Sequence, residues 1–135
     1  MKKLRKSTKW KVFSTDKSDV LIVEDEESFR GTAARKCLGD KRLEAFLRAC
    51  RGTTHVRACG FINKELDQGE TLDSIFYTQD GYGYRLAVRE CGKDEFEIDF
   101  GYLAGPLMGD GGCWVVRFDS DDRVKQMEEK GHWIS

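Results

Sequence analysis

Gly109-Asp110-Gly111-Gly112 is the first stretch whose residue types suggest chemistry, because glycine-rich loops can cradle phosphate. A cradle of the Walker type needs Gly-Lys-Ser/Thr opening a helix, so that helix amides and the lysine hold the charge. Here the glycines run into Cys113-Trp114-Val115-Val116, a strand-like sequence with no lysine. The expected role is a wide turn in which glycine takes positive φ. Gly111-Gly112-Cys113-Trp114 also echoes the surroundings of a cysteine-protease nucleophile. That nucleophile needs a helix N-terminus to lower its thiol pKa, whereas a strand follows here. His132 lies close enough in sequence to approach Cys113 across a hairpin, so a thiol–imidazole pair is one arrangement to look for.

Other ligand sets fail on spacing. Asp119, Asp121 and Asp122 resemble the start of a calcium loop, but Val124 and Lys130 stand where glycine and glutamate are required. His55 and Cys59 are four apart without a second pair of soft ligands, so no metal and no cofactor are expected. The five cysteines, Cys37, Cys50, Cys59, Cys91 and Cys113, form no C-x-x-C pair and suit buried thiols in a reducing cytoplasm. Glu95, Glu97 and Asp99 alternate along one run, as an exposed sheet face would, with Arg85 and Arg89 placed to pair with them.

Charge is segregated along the chain although the net is only -1. Residues 1–11 carry six basic side chains and no acid, and residues 58–135 carry eight basic and sixteen acidic ones. Residues 12–29 are acidic and residues 30–57 basic. Such blocks make local fields that suit complementary partners. Arg35, Lys36, Lys41, Arg42, Arg48 and Arg51 would offer phosphates a surface. The aromatics, however, cluster in the acidic half, the wrong place for base stacking. Tyr77, Tyr82, Tyr84, Phe96, Phe100, Tyr102 and Trp114 either line the concave side of a sheet or, at the Asp80-Gly81-Tyr82-Gly83-Tyr84 tip, make contacts.

Hydrophobic periodicity places these residues on elements. Trp10, Val12 and Phe13 followed by the turn at residues 15–19 and Val20-Leu21-Ile22-Val23 predict a hairpin, and residues 1–9 a flexible basic segment. Helices are expected over residues 29–38 and from Asp40, as N-cap, to Gly52, with Leu43, Phe46, Leu47 and Cys50 on one stripe. Gly39 should separate the two helices by a left-handed turn. Val56, Ala58, Gly60 and Ile62 read as a strand, residues 63–71 as a turn, and residues 74–78 as a further strand. Phe96, Ile98 and Phe100, then Trp114, Val116 and Phe118, alternate cleanly, and residues 123–128 form the last strand.

The sequence therefore predicts one α+β domain over residues 1–135, with a twisted, mostly antiparallel, roll-like meander of five or six strands. Two consecutive helices should pack on one of its faces. The expected core joins Leu43, Phe46 and Leu47 to Ile62, Leu86, Val88, Phe96, Ile98, Phe100, Trp114, Val116 and Phe118. No apolar run reaches the roughly 20 residues of a membrane helix, and a cytoplasmic location is expected. The functional expectation is a small non-enzymatic binding protein, of inhibitor, immunity or adaptor type. Its contacts with another protein would come from Tyr82, Tyr84, Lys41, Arg48 and Arg51. The alternatives are nucleic-acid binding through the basic N-terminus and helix face, or a small-molecule site or enzyme with an aromatic pocket in the curved sheet.

Overall fold

The alternating runs do form strands, and the helical stripe at Leu43, Phe46 and Leu47 lies against them. The structure, a computed structural model, describes residues 10–15, 18–23, 32–76, 83–105 and 108–134. Strands β1 (Trp10–Thr15) and β2 (Ser18–Val23) pair antiparallel, Trp10 opposite Val23 and Thr15 opposite Ser18, as the sequence predicts. Helices α1 (Thr32–Leu38) and α2 (Asp40–Ala49) follow, then a 3-10 turn over Cys50–Gly52. Next come α3 (Arg57–Asp67) and the short α4 (Leu72–Phe76). The chain ends in an antiparallel meander of β3 (Gly83–Gly92), β4 (Glu95–Gly105), β5 (Met108–Phe118) and β6 (Val124–Ile134), in that spatial order. The class is α+β with an open sheet. The basic segment 1–9, the Asp80-Gly81 turn and Tyr82 lie outside the described residues.

Three local expectations are corrected. Residues 56–62 are not a strand and residues 63–67 not a turn: Val56 precedes α3 and residues 57–67 form it, because Ala58, Cys59, Ile62, Asn63 and Leu66 recur at helical spacing and bury one stripe. Residues 74–76 are the end of α4 rather than a strand, for the same reason at Leu72, Ile75 and Phe76. The main sheet consequently has four strands, not five or six. Asp40 is the first residue of α2 and gives its carboxylate to Arg35 at 2.9 Å instead of capping the helix. Gly39, at φ 90°, makes the break between helices. Its N–H donates to the Arg35 carbonyl at 2.8 Å and its carbonyl accepts the Leu43 N–H at 2.9 Å.

The core is the one the alternation predicts, with Ile62 entering from a helix. Phe46 is fully buried, its ring edge-on to Trp114 at 5.3 Å and to Phe100 at 6.1 Å. Arg42, one turn earlier on α2, reaches both neighbouring hairpin turns. Its guanidinium donates to Asp122 at 2.7 Å and Asp94 at 3.0 Å, and lies over the rings of Phe118 and Phe96. Asp94 and Asp122 both hold positive φ, so the clamp closes on two turns whose backbone geometry is uncommon for residues other than glycine.

Part of the opposite face of the sheet is also covered, around Asp99, Cys113 and Trp133. The backbone of β2 passes close to β4, β5 and β6, and Asp99, Cys113 and Trp133 on that face are buried. This corrects the reading of Asp99 as part of an exposed acidic row. Arg89 and Glu97 do pair on that row, and Arg117 meets Glu95 at 3.6 Å, but Asp99 accepts the Trp133 indole N–H at 2.9 Å. Nor is the glycine run a wide turn. Gly109, Gly111 and Gly112 lie in β5 without positive φ, and Gly111 pairs with Gly101 on one side and Trp133 on the other. A Cβ at Gly101 or Gly111 would collide with the Trp133 ring. The glycines are bare backbone on which an indole lies.

Phe46→Ala should cost about 3–5 kcal/mol, seen as a lower urea midpoint. Gly101→Ala, whose Cβ would also come 2.6 Å from the Asp110 carbonyl oxygen, should cost roughly 1–3 kcal/mol. It should also change Trp133 fluorescence, and an unaltered midpoint in either variant would contradict this packing.

Candidate functional site

Helix α3 carries two stripes. Ala58, Cys59, Ile62, Asn63 and Leu66 face the core, while Phe61, Lys64, Glu65 and Gln68 fall at i, i+3, i+4 and i+7 on a second row. That row forms one wall of a cleft of about 700 Å³. Ser74 and Ile75 of α4, Gly83 and Tyr84 of β3, and Tyr102 of β4 complete it. The corner between α3 and α4 is set by local chemistry. Gly69, at φ 86°, ends α3 by donating to the Leu66 carbonyl at 3.0 Å, while the Glu70 N–H reaches the Glu65 carbonyl at 3.1 Å. Thr71 Oγ1 then accepts the Ser74 N–H at 3.1 Å and starts α4.

Three rings shape the cleft. Tyr102 is the middle one, 5.6 Å from Phe61 at 77° and 5.3 Å from Tyr84 at 63°. Tyr84 is mostly buried and stacks on Phe100 at 5.7 Å and 16°, whereas Phe61 is 45% exposed. Burial, and then a hydrogen bond to the Glu65 carboxylate, push the Tyr84 hydroxyl well above its usual pKa, so it stays a neutral donor. Lys64 and Gln68 are exposed beside it.

Asp110 and Asn63 hold α3 in place. The Arg57 N–H at the start of the helix donates to the Asp110 carboxylate at 3.3 Å, where a negative charge is favourable. Buried Asn63 donates to the Leu47 carbonyl at 2.8 Å and the Cys59 carbonyl at 2.9 Å, tying α3 to α2.

Of the contact residues expected from sequence, Tyr84 lines the cleft, and Tyr82 lies outside the described residues. Arg48 and Arg51 converge instead on Asp67, at 2.6 and 3.0 Å, and strap α2 to the end of α3. Lys41 is exposed on α2 and does not line the cleft. Tyr102 lines the cleft as one of the aromatics named from sequence, whereas Phe61, Lys64 and Glu65 are cleft residues that sequence reasoning did not assign to a site. Their signal was the second i, i+3, i+4 row, hidden by reading residues 56–62 as a strand.

A second cluster holds the two histidines. The His55 and His132 rings meet edge-on at 5.2 Å, and His55 Nε2 lies 2.8 Å from Glu129. Cys50 and Cys59 are buried nearby, and their mutual hydrogen bond and burial push the Cys59 thiol far up, away from thiolate. Cys113 pairs with Gly131, and His132 with Gly112, so thiol and imidazole belong to opposite sheet faces. No three His, Cys, Asp or Glu side chains among the described residues are placed to hold a metal ion. No helix among them is long and apolar enough to cross a membrane. Asp119 Oδ1 accepts the N–H groups of Asp121 and Arg123, which makes the acidic turn a backbone-ordering device. Comparison with protein-family models, with curated proteins and with solved structures finds no match to this chain.

Asp99 gives this scaffold a pH signature. Burial pushes its carboxyl up to about 7, against the opposing pull of Arg85 and the Trp133 hydrogen bond. A raised folded-state pKa favours the fold below the unfolded-state value, and that contribution is lost as pH climbs towards about 7. Asp99→Asn should therefore gain on the wild type as pH rises from about 4 to about 7, by on the order of 4 kcal/mol, and then hold level. Urea midpoints across that range test this, and a difference that does not vary with pH would contradict it.

Proposed function

We propose that the protein is a small non-enzymatic binding protein that seats a ligand in the cleft between α3, α4 and the β3–β4 end of the sheet. One observation carries this reading: three rings and the Lys64 and Glu65 side chains converge on a concavity of about 700 Å³. Ligand sites are typically concave, of roughly 300–1,000 Å³, mostly apolar, with a few polar groups that orient the guest. The state of Tyr84 supports holding rather than proton transfer. Burial, and then the Glu65 carboxylate, hold its hydroxyl well above the usual range, so it does not titrate near neutral pH.

A second reading, contact with a protein partner, draws on the exposure of Phe61. An aromatic ring at a pocket rim is a typical anchor for a protein interface. Nucleic-acid binding draws less support. Arg35, Arg42, Arg48 and Arg51 are each bonded to carboxylates, which reduces the charge they offer to phosphates.

Native mass spectrometry of gently purified protein, with Phe61→Ala and Tyr102→Ala beside Arg48→Ala, tests the proposal. Retained ligand should fall about tenfold in the two cleft variants and persist in the arginine variant. Loss in the arginine variant with full retention in the cleft variants would overturn it.

A further inference from the structure

The cleft wall carries both signs of charge beside partly exposed aromatic rings, and this combination narrows the chemistry of the guest. Phe61 and Tyr102 meet at a steep angle, 77°, with neither ring fully buried, so they present a two-walled corner. Tyr84 closes its base, held by Phe100 behind it and Glu65 beside it. The negative faces of aromatic rings attract cations, most effectively alkylated ammonium groups that shed water easily. Glu65 adds a carboxylate. A carboxylate has roughly four acceptor positions, so the Tyr84 hydroxyl leaves capacity for a cationic guest. Lys64 and Gln68 stand on the same row of α3 as Phe61 and Glu65, exposed and lining the cleft. Lys64 lies one turn along from Phe61, about 5–6 Å between Cβ atoms. A cation alone would be repelled by Lys64, and an anion alone would face Glu65.

We propose that the Phe61–Tyr102 corner with Glu65 and Lys64 binds a free small zwitterion, an alkylated ammonium joined by a few bonds to an acidic group. The ammonium lies in the aromatic corner near Glu65, and the acidic group meets Lys64 and the Gln68 amide. This inference rests on the cleft being the ligand site and adds the chemical class of the ligand.

Calorimetric titration of the full chain with phosphocholine tests it, with choline, inorganic phosphate and the uncharged isostere 3,3-dimethylbutanol as comparisons. Phosphocholine should bind most tightly, choline more weakly, and the isostere and phosphate least. Tyr102→Leu and Phe61→Leu, which keep apolar bulk but lose the ring, should weaken phosphocholine roughly fivefold or more. Lys64→Ala should abolish the preference for phosphocholine over choline, and Glu65→Gln should weaken both. Thermal unfolding of each variant distinguishes lost binding from lost fold. Equal binding of the isostere, no binding of phosphocholine, or an unchanged preference in Lys64→Ala would overturn the proposal. Binding only to phosphatidylcholine vesicles would overturn the free-ligand assignment. If no probe binds while Phe61→Ala still sheds a retained ligand, the zwitterion inference falls and the cleft reading stands.

Discussion

Phe100 stands where the helix layer, the sheet and the cleft meet. Its ring takes the edge of Phe46 from α2 on one side and lies near Phe76 of α4 at 6.4 Å, while Tyr84 stacks on it at 5.7 Å. Each aromatic pair contributes about 0.5–1.5 kcal/mol beyond its burial, but the geometric effect matters more. Close-packed interiors transmit displacements, so the ring that seats α2 also fixes the plane of Tyr84 and hence the base of the cleft. The pleat makes this possible. Tyr84, Phe100, Tyr102 and Trp114 share one face through the registers Tyr84–Tyr102, Leu86–Phe100 and Ile98–Trp114.

Among the described residues, much of the basic charge of residues 30–57 is paired with carboxylates of the same molecule. Basic α2 and the N-terminus of α3 meet the acidic sheet through Arg42 with Asp94 and Asp122, and through Arg57 with Asp110. Arg48 and Arg51 meet Asp67 between the helices. Such partly exposed pairs contribute little stability one by one. Their physical role is to select which helix end faces which hairpin turn, and they leave less charge for an external partner than the block pattern implies. Lys64 and Glu65 matter for the opposite reason: both line a concavity.

The legible parts of the sequence were those where a single period dominated. The N-terminal hairpin, the stripe of α2 and the strands through Phe96–Phe100 and Trp114–Phe118 followed from patterning, as did every member of the expected core except Ile62, which is buried but from a helix. Residues 56–67 were misread because Val56, Ala58, Gly60 and Ile62 also alternate, and a short apolar run fits period two and period 3.6 equally. The glycines of β5 carried a turn signature, but what Gly111 accommodates, together with Gly101 of β4, is Trp133, more than twenty residues away and invisible to a local pattern. Asp99 looked exposed because nothing local announces that β2 and Trp133 cover its face. Tyr84, named from sequence as a contact residue, lines the cleft. Its neighbours Phe61, Lys64 and Glu65 were not so named, since their shared row exists only once α3 is recognised as a helix.

Chemical-shift mapping of isotope-labelled protein with phosphocholine addresses the central claim most directly, since it reports where a guest sits without any substitution. The account predicts perturbations concentrated at Phe61, Lys64, Glu65, Gln68, Tyr84 and Tyr102, with Lys41, Arg48 and Arg51 unmoved. Perturbations centred on the arginine strap of α2, or none at saturating probe, would contradict it.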